Sequence, residues 1–217
     1  MQYPVVLLGI LKDGQGSKML TASKEGGSTG GIVIRAQGTL SNKIMNMLGL
    51  HDRKKEMFFT LIPKDMEDKM HHYLDERMNM SKKGHGVLFS LDTSSVIGNH
   101  GQDYEYEESE SNMTGHQLIV TIVDREFGDD VVQASREAGA HGATILHGRG
   151  TGTGEFSKLF NAHIEPEKEV VVMVVDGDKC KQISDKIVEE LDIRAQGKGL
   201  LFSVNVSQAT GLFEADE

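Results

Sequence analysis

The run His147-Gly148-Arg149-Gly150-Thr151-Gly152-Thr153-Gly154 places glycine at every second position. With no side chains to shield them, successive backbone N–H groups can wrap a phosphate or a carboxylate. A second turn, Gly197-Lys198-Gly199, offers similar donors with an ammonium group beside them. Neither turn is a dinucleotide fingerprint, because no evident helix follows inside a βαβ unit. The Gly-Lys-Ser/Thr ending of a P-loop is missing as well. The chemistry these residues suit is anion binding, with Arg149 and Lys158 as nearby cations. Arg35 suits the same role in the first half, where a salt bridge on a strand edge is an equal reading. Taken alone, the glycines read first as a flexible structural loop.

Other chemistry finds less support. Nine histidines invite a metal, yet His71 and His72 are adjacent on a predicted helix, where neighbours diverge by ~100°. His141, His147 and His163 converge only if the fold brings them together, and no cysteine or second tight histidine spacing supports them; no metal site is assigned. No Gly-x-Ser-x-Gly elbow occurs, and Cys180 lies among Asp178, Lys179, Lys181 and Gln182 with no histidine beside it. Acidic residues are scattered over predicted turns and helix faces, as solvated charges are. The expectation is a protein that is not an enzyme and carries no cofactor.

The elements that must position the glycines come in two copies. Ala22-Ser23-Lys24-Glu25 with Gly27 and Gly30 recurs as Ala134-Ser135-Arg136-Glu137 with Gly139 and Gly142, a shift of 112 residues (22 to 134). Lys55-Glu56 answers to Lys168-Glu169, and Gly84-His85-Gly86-Val87-Leu88-Phe89-Ser90 to Gly197-Lys198-Gly199-Leu200-Leu201-Phe202-Ser203, at a shift of 113 (84 to 197). Two copies are too few for a solenoid. Each opens with an apolar strand, Val5–Leu11 or Leu118–Val123. A helix follows; in the second copy Val131, Val132, Ser135 and Ala138 form its stripe and Gly139 its C-terminal cap. Second strands are Gly31–Arg35 and Ala143–His147, and third strands Glu56–Pro63 and Glu169–Asp176. Asp65 and Asp178 are placed to cap second helices, striped by Met70, Tyr73, Leu74 and Met78 or by Ile183, Ile187, Val188 and Leu191. A last strand follows each Gly-x-Gly. The fold class is therefore α+β: two ferredoxin-like β-α-β-β-α-β domains in tandem, antiparallel sheets with helices on one face. The domains are expected at 1–98 and 116–217. Residues 99–115, rich in Asp and Glu and poor in aliphatics, read as an extended acidic linker.

Composition bounds the partners. A chain of 217 residues suits two domains of roughly 100 residues each. The formal charge of -10 argues against general nucleic-acid binding. A single cysteine fits a reducing compartment, no apolar run approaches the ~20 residues that span a bilayer, and the N-terminus lacks a basic start and cleavage site. The expected location is the cytoplasm.

The architecture, the stretch Glu137-Ala138-Gly139-Ala140-His141-Gly142-Ala143-Thr144, the Gly150-Thr151-Gly152 turn and the Gly197-Lys198-Gly199 turn together resemble the PII signal-transduction family. The resemblance covers both halves apart from residues 99–115. It implies a regulatory protein that assembles as trimers, holds an adenine nucleotide or related effector in clefts between subunits, and controls an enzyme or membrane transporter through a long loop between its second and third strands. Those loops would run from about Thr39 to Lys55 and from about Thr151 to Lys168. Carried over by position, Gly142 and Thr144 line the cleft from one subunit, while Gly150, Gly152, Gly197 and Gly199 approach the phosphates from the next. Arg149, Thr151 and Lys198 accompany them, and Gly30, Gly38, Thr39, Gly84 and Gly86 are the first-copy equivalents. Three tandem chains would give two trimeric rings or a pseudo-hexamer of domains.

The chain departs from the family pattern in places. Leu200 and Val87 stand where PII proteins carry a phosphate-binding lysine after the glycine turn, and Val204–Gly211 and Leu91–Gly98 lack the basic pair expected beyond the last strand. Neither crossing loop contains a tyrosine for nucleotidylation. Instead Ile44, Met45, Met47, Leu48 and Leu50, and in the second loop Phe156, Leu159 and Phe160, suit a short amphipathic helix, read as either a local plug or a partner-docking element. Two alternatives stand beside the sensor: a metal-binding trimer of the same fold and a ligand-free assembly scaffold.

Overall fold

The computed structural model describes residues 4–38, 54–82, 84–99, 103–107, 115–151, 157–159 and 162–212. The first copy comprises β1 (Pro4–Lys12), α1 (Gly16–Glu25), β2 (Gly31–Gln37), β3 (Lys54–Pro63), α2 (Glu67–Met78) and β4 (Gly86–Asp92). Next come β5 (Ser95–Asn99) and β6 (Asp103–Glu107). The second copy repeats the first as β7 (His116–Asp124), α3 (Gly128–Glu137), β8 (Thr144–Thr151), β11 (Glu167–Asp176), α4 (Gly177–Glu190) and β12 (Gly199–Val206). The short strands β9 (Ser157–Leu159) and β10 (Ala162–Ile164) form a hairpin between β8 and β11.

Both copies carry the same strand order, and they join into one ten-stranded sheet, β4-β1-β3-β2-β8-β11-β7-β12-β5-β6. The seam is an antiparallel ladder in which Gly31, Ile32, Val33 and Ile34 face Thr151, Gly150, Arg149 and Gly148. The second strand of the second copy thus does not end at His147 but continues to Thr151, through half of the expected glycine loop. Glycine makes this approach sterically possible: a Cβ on Gly150 would lie 2.4 Å from the Gly31 carbonyl oxygen.

Alternation along the strands builds three cores. In β1, Val5, Leu7 and Leu11 face α1 and α2 with Met19, Leu20, Met70 and Leu74. In β7 and β11, Ile119, Val123, Val171 and Met173 face α3 and α4 with Val131, Ile183 and Ile187. The intervening residues Val6, Leu8, Ile32, Ile34, Val120, Val170 and Phe202 meet in a third core shared by the two copies. A strand buried on both faces needs no polar alternation, which is why Val5–Leu8 and Val170–Val172 read as unbroken apolar runs.

The expected linker is partly sheet. β5 pairs with β12, with Ser95 opposite Ser203 and Gly98 opposite Leu200, and β6 pairs with β5. Of β5, Val96 is buried in the core shared by the two copies and Ile97 in the core of the second. Thr93 Oγ1 donates to the Pro4 carbonyl at 2.7 Å, and the Ser94 N–H donates to the Ser203 carbonyl at 2.8 Å. Tyr104 and Tyr106 give the acidic segment strand propensity that its charge masks. Helix starts also differ from expectation: Asp176, not Asp178, occupies the N-cap of α4, and a 3₁₀ turn over Lys64–Met66 precedes α2. Gly139 follows α3 at φ +96° and ends it as expected. The loop segments 39–53, 152–156 and 160–161 lie outside the described residues, with the apolar groups assigned to them; Leu159 is in strand β9 rather than a helix.

Candidate functional site: the cleft between the two copies

The repeated Lys-Glu pair has a structural role on its glutamate side. Glu56 Oε2 accepts the N–H of Gly16 at 2.6 Å, and Glu169 Oε2 accepts that of Gly128 at 2.8 Å, so each carboxylate sits at the start of the first helix of its copy. A Cβ on Gly128 would lie 2.6 Å from Glu169 Oε2, so a larger residue there would displace the carboxylate from the helix start. Arg149 reaches across the seam from the second copy, donating to Glu56 Oε1 and to Glu165 Oε2, each at 2.8 Å. Burial opposes the charge of Glu56, but Arg149 and the Gly16 and Gln15 N–H groups outweigh it and hold its carboxyl below the usual range. Arg149 is therefore an internal tie between copies, its guanidinium committed to two carboxylates.

Above the shared core the copies enclose a cleft. The first copy supplies Thr29, Gly30, Gly31 and the β3 residues Phe59–Leu61, and the second supplies Asp124, Gly150, Thr151, Lys168 and the turn Gly197–Gly199. Val6, Ile32, Ile122, Leu200 and Phe202 make its floor apolar. Thr60 Oγ1 donates to the Gly30 carbonyl and fixes the first-copy wall. Lys168, whose side chain is 9 % exposed, pairs with Asp124 at the rim. Thr151 is 4 % exposed, and its hydroxyl has no hydrogen-bond partner among the described residues. Lys198 stands exposed at the mouth. The cavity is about 60 Å³, room for a few waters or one phosphate- or carboxylate-sized group.

Of the residues singled out from sequence, Gly30, Gly150, Thr151, Gly197, Lys198 and Gly199 share this cleft. Their offering differs from the expected cradle of backbone donors. The Gly150 N–H donates to the Pro166 carbonyl at 3.0 Å and the Lys198 N–H to the Ala195 carbonyl at 3.2 Å. Gly199 is required by close packing, a Cβ there falling 2.9 Å from the Ile122 carbonyl oxygen. Side chains, Lys198 and Thr151 above all, carry the polar chemistry instead. Gly142 and Thr144 lie elsewhere, in a groove with His116, His141, Asp176 and the tail at Ala209–Leu212. Gly84 and Gly86 border β4 at the far end of the sheet, and Gly38 follows β2. Gly152 and Thr39 lie outside the described residues.

Sequence reasoning missed Thr29, Thr60, Asp124 and Lys168. Lys168 carried a signal, its recurrence beside Glu169, but it served only to align the copies. No group of three His, Cys, Asp or Glu converges among the described residues, and His147 pairs with Glu169 at 3.4 Å.

The model of the family described as nitrogen regulatory protein P-II matches residues 116–212. Among solved structures, Arabidopsis thaliana PII bound to citrate is 21 % identical, over 43 % of this chain and 79 % of that one, with a TM-score of 0.35. The regulatory subunit of aspartate kinase from Thermus thermophilus is 16 % identical over 86 % of this chain and 92 % of that one, with a TM-score of 0.36. No curated protein matches the sequence. The matched residues 116–212 include β7 to β12 and every second-copy wall of the cleft, so over its second copy the chain is similar to the nitrogen regulatory protein P-II family.

Proposed function

We propose that this protein is a regulatory, effector-sensing protein whose effector lodges in the cleft between its two copies. The observation that carries the reading is the position of Thr151 and Lys198 of the P-II half against Thr29–Gly31 of the other half, with the Thr151 hydroxyl buried and unpaired among the described residues. An anionic head group suits the cleft: Lys198 supplies charge, Thr151 a donor, and Lys168 a second ammonium once Asp124 releases it. Adenine nucleotides are the first effectors to test, with one phosphate inside the cleft and the remainder beyond its mouth. Occupancy would fix the two copies relative to each other and bias the β8–β11 connection, which begins at Thr151, toward one state. That connection and its first-copy equivalent are the elements proposed to meet a regulated enzyme or transporter. No helix among the described residues is long and apolar enough to cross a membrane, and we place the protein in the cytoplasm.

A thermal-shift screen against ATP, ADP, AMP and inorganic phosphate tests the reading. A ligand at 100 times its Kd stabilises by about 2.7 kcal/mol, and Lys198→Ala and Thr151→Val should abolish the shift while melting like the parent. No shift with any anion would favour an assembly scaffold, a reading supported by the packing demands on Gly150 and Gly199.

A further inference from the structure

The internal repeat allows one copy to be used as the control for the other. In the second copy the outer strand β12 is covered along its free edge by β5, which pairs residues 95–98 with 200–203. The equivalent strand of the first copy, β4, ends the sheet and has β1 as its one hydrogen-bonded neighbour among the described residues. The difference shows in the side chains. Ile10, Val87 and Leu91 are 38 %, 57 % and 40 % exposed, three of the five large exposed hydrophobics among the described residues. Their second-copy counterparts Ile122, Leu200 and Val204 are half-buried. The same apolar trio packs against the shared core in the copy whose outer strand is joined by β5, and is open in the copy whose outer strand ends the sheet.

We propose that the missing strand is β4 of a second copy of this chain, paired antiparallel about a two-fold axis through Phe89. The sequence of β4, Gly-Val-Leu-Phe-Ser-Leu-Asp, contains no Lys, Arg or Pro, the devices that protect an edge from pairing. It is self-complementary in this register: Val87 faces Leu91 of the partner, Phe89 faces Phe89, and no like charges meet. The opposite edge of the sheet cannot do this. In β6 the same operation would set Glu105 against Glu105 and Asp103 against Glu107, and β6 laid on β4 would bring acidic positions opposite an apolar strand. A two-fold pairing through β4 also differs from the three-fold assembly that the PII resemblance implies, and it is independent of whether the cleft binds an effector.

Light scattering on the eluting full chain, followed through a dilution series, tests this. The expected mass is twice 23.8 kDa at high concentration, falling to 23.8 kDa on dilution. Val87→Lys and Leu91→Lys should be monomeric at concentrations where the parent is paired, with an unchanged far-ultraviolet spectrum. Phe89→Cys supplies a second measurement: with Cys180 buried, mild oxidation of this variant should yield a covalent dimer across the axis. A parent monomeric at every concentration, or an assembly, three-fold included, that the lysines leave intact, or no cross-link after oxidation of the Phe89→Cys variant, would overturn the proposal.

Discussion

At the scale of residues, the two glutamates that start the helices make a controlled comparison. Glu56 has the Gly16 N–H and a cross-copy arginine, whereas Glu169 has the Gly128 N–H and an imidazole that is 77 % exposed. Removing one partner of a buried pair costs about 3 to 5 kcal/mol, while an exposed pair is worth about 1 kcal/mol or less. Glu56→Ala should therefore lower the stability measured by urea denaturation by about 2 kcal/mol more than Glu169→Ala. The pair also sets an acid limb. The folded Glu56 carboxyl titrates below its reference value of 4.5, so its contribution is full above that pH and is lost as pH falls through the folded value. Glu56→Gln should flatten the decline in urea midpoint over this window relative to the parent. The glycine turns and Lys198 were legible at this scale because residue type and spacing are local properties. Asp124 and Thr29 were not, since they reach the cleft only through pairing between copies.

At the scale of elements, the strands and helices were legible because their apolar periods are strong and appear twice. The strand β8 shows where that reading fails. Alternating glycine looks like a loop until a neighbouring backbone is present to require it, and the neighbour here is β2 of the other copy. The same blindness made β6 a linker, its acidic residues outweighing its two tyrosines. Gly150→Ala separates a packing role from a binding role. With the Gly31 oxygen 2.4 Å from the new Cβ, overpacking should cost about 1 to 3 kcal/mol in the absence of any ligand. Gly197→Ala, where the φ of +81° is the constraint and the surrounding space is open, should cost about 1 kcal/mol through backbone strain. Paired denaturation curves without added anions check both values; equal, negligible losses would mean that the seam does not hold as described.

At the scale of the whole molecule, the two copies are bound by a shared core, a backbone ladder, the Arg149–Glu56 tie and the pairing of β5, which follows β4 directly, with β12. Such coupling predicts one calorimetric transition for the full chain, with calorimetric and van't Hoff enthalpies that agree; two resolved transitions would show that the copies behave as independent domains. A cleft walled by both copies responds to anything that moves one against the other, which is why the effector is proposed to act there. The most direct measurement is a titration of isotope-labelled full chain with ATP and with inorganic phosphate, followed amide by amide. The proposed effector cleft predicts that Thr29–Gly31 in the first copy and Thr151 and Gly197–Gly199 in the second shift together and saturate at one common Kd. Shifts confined to one copy, or centred on Gly142 and Thr144 instead, would contradict a shared effector cleft.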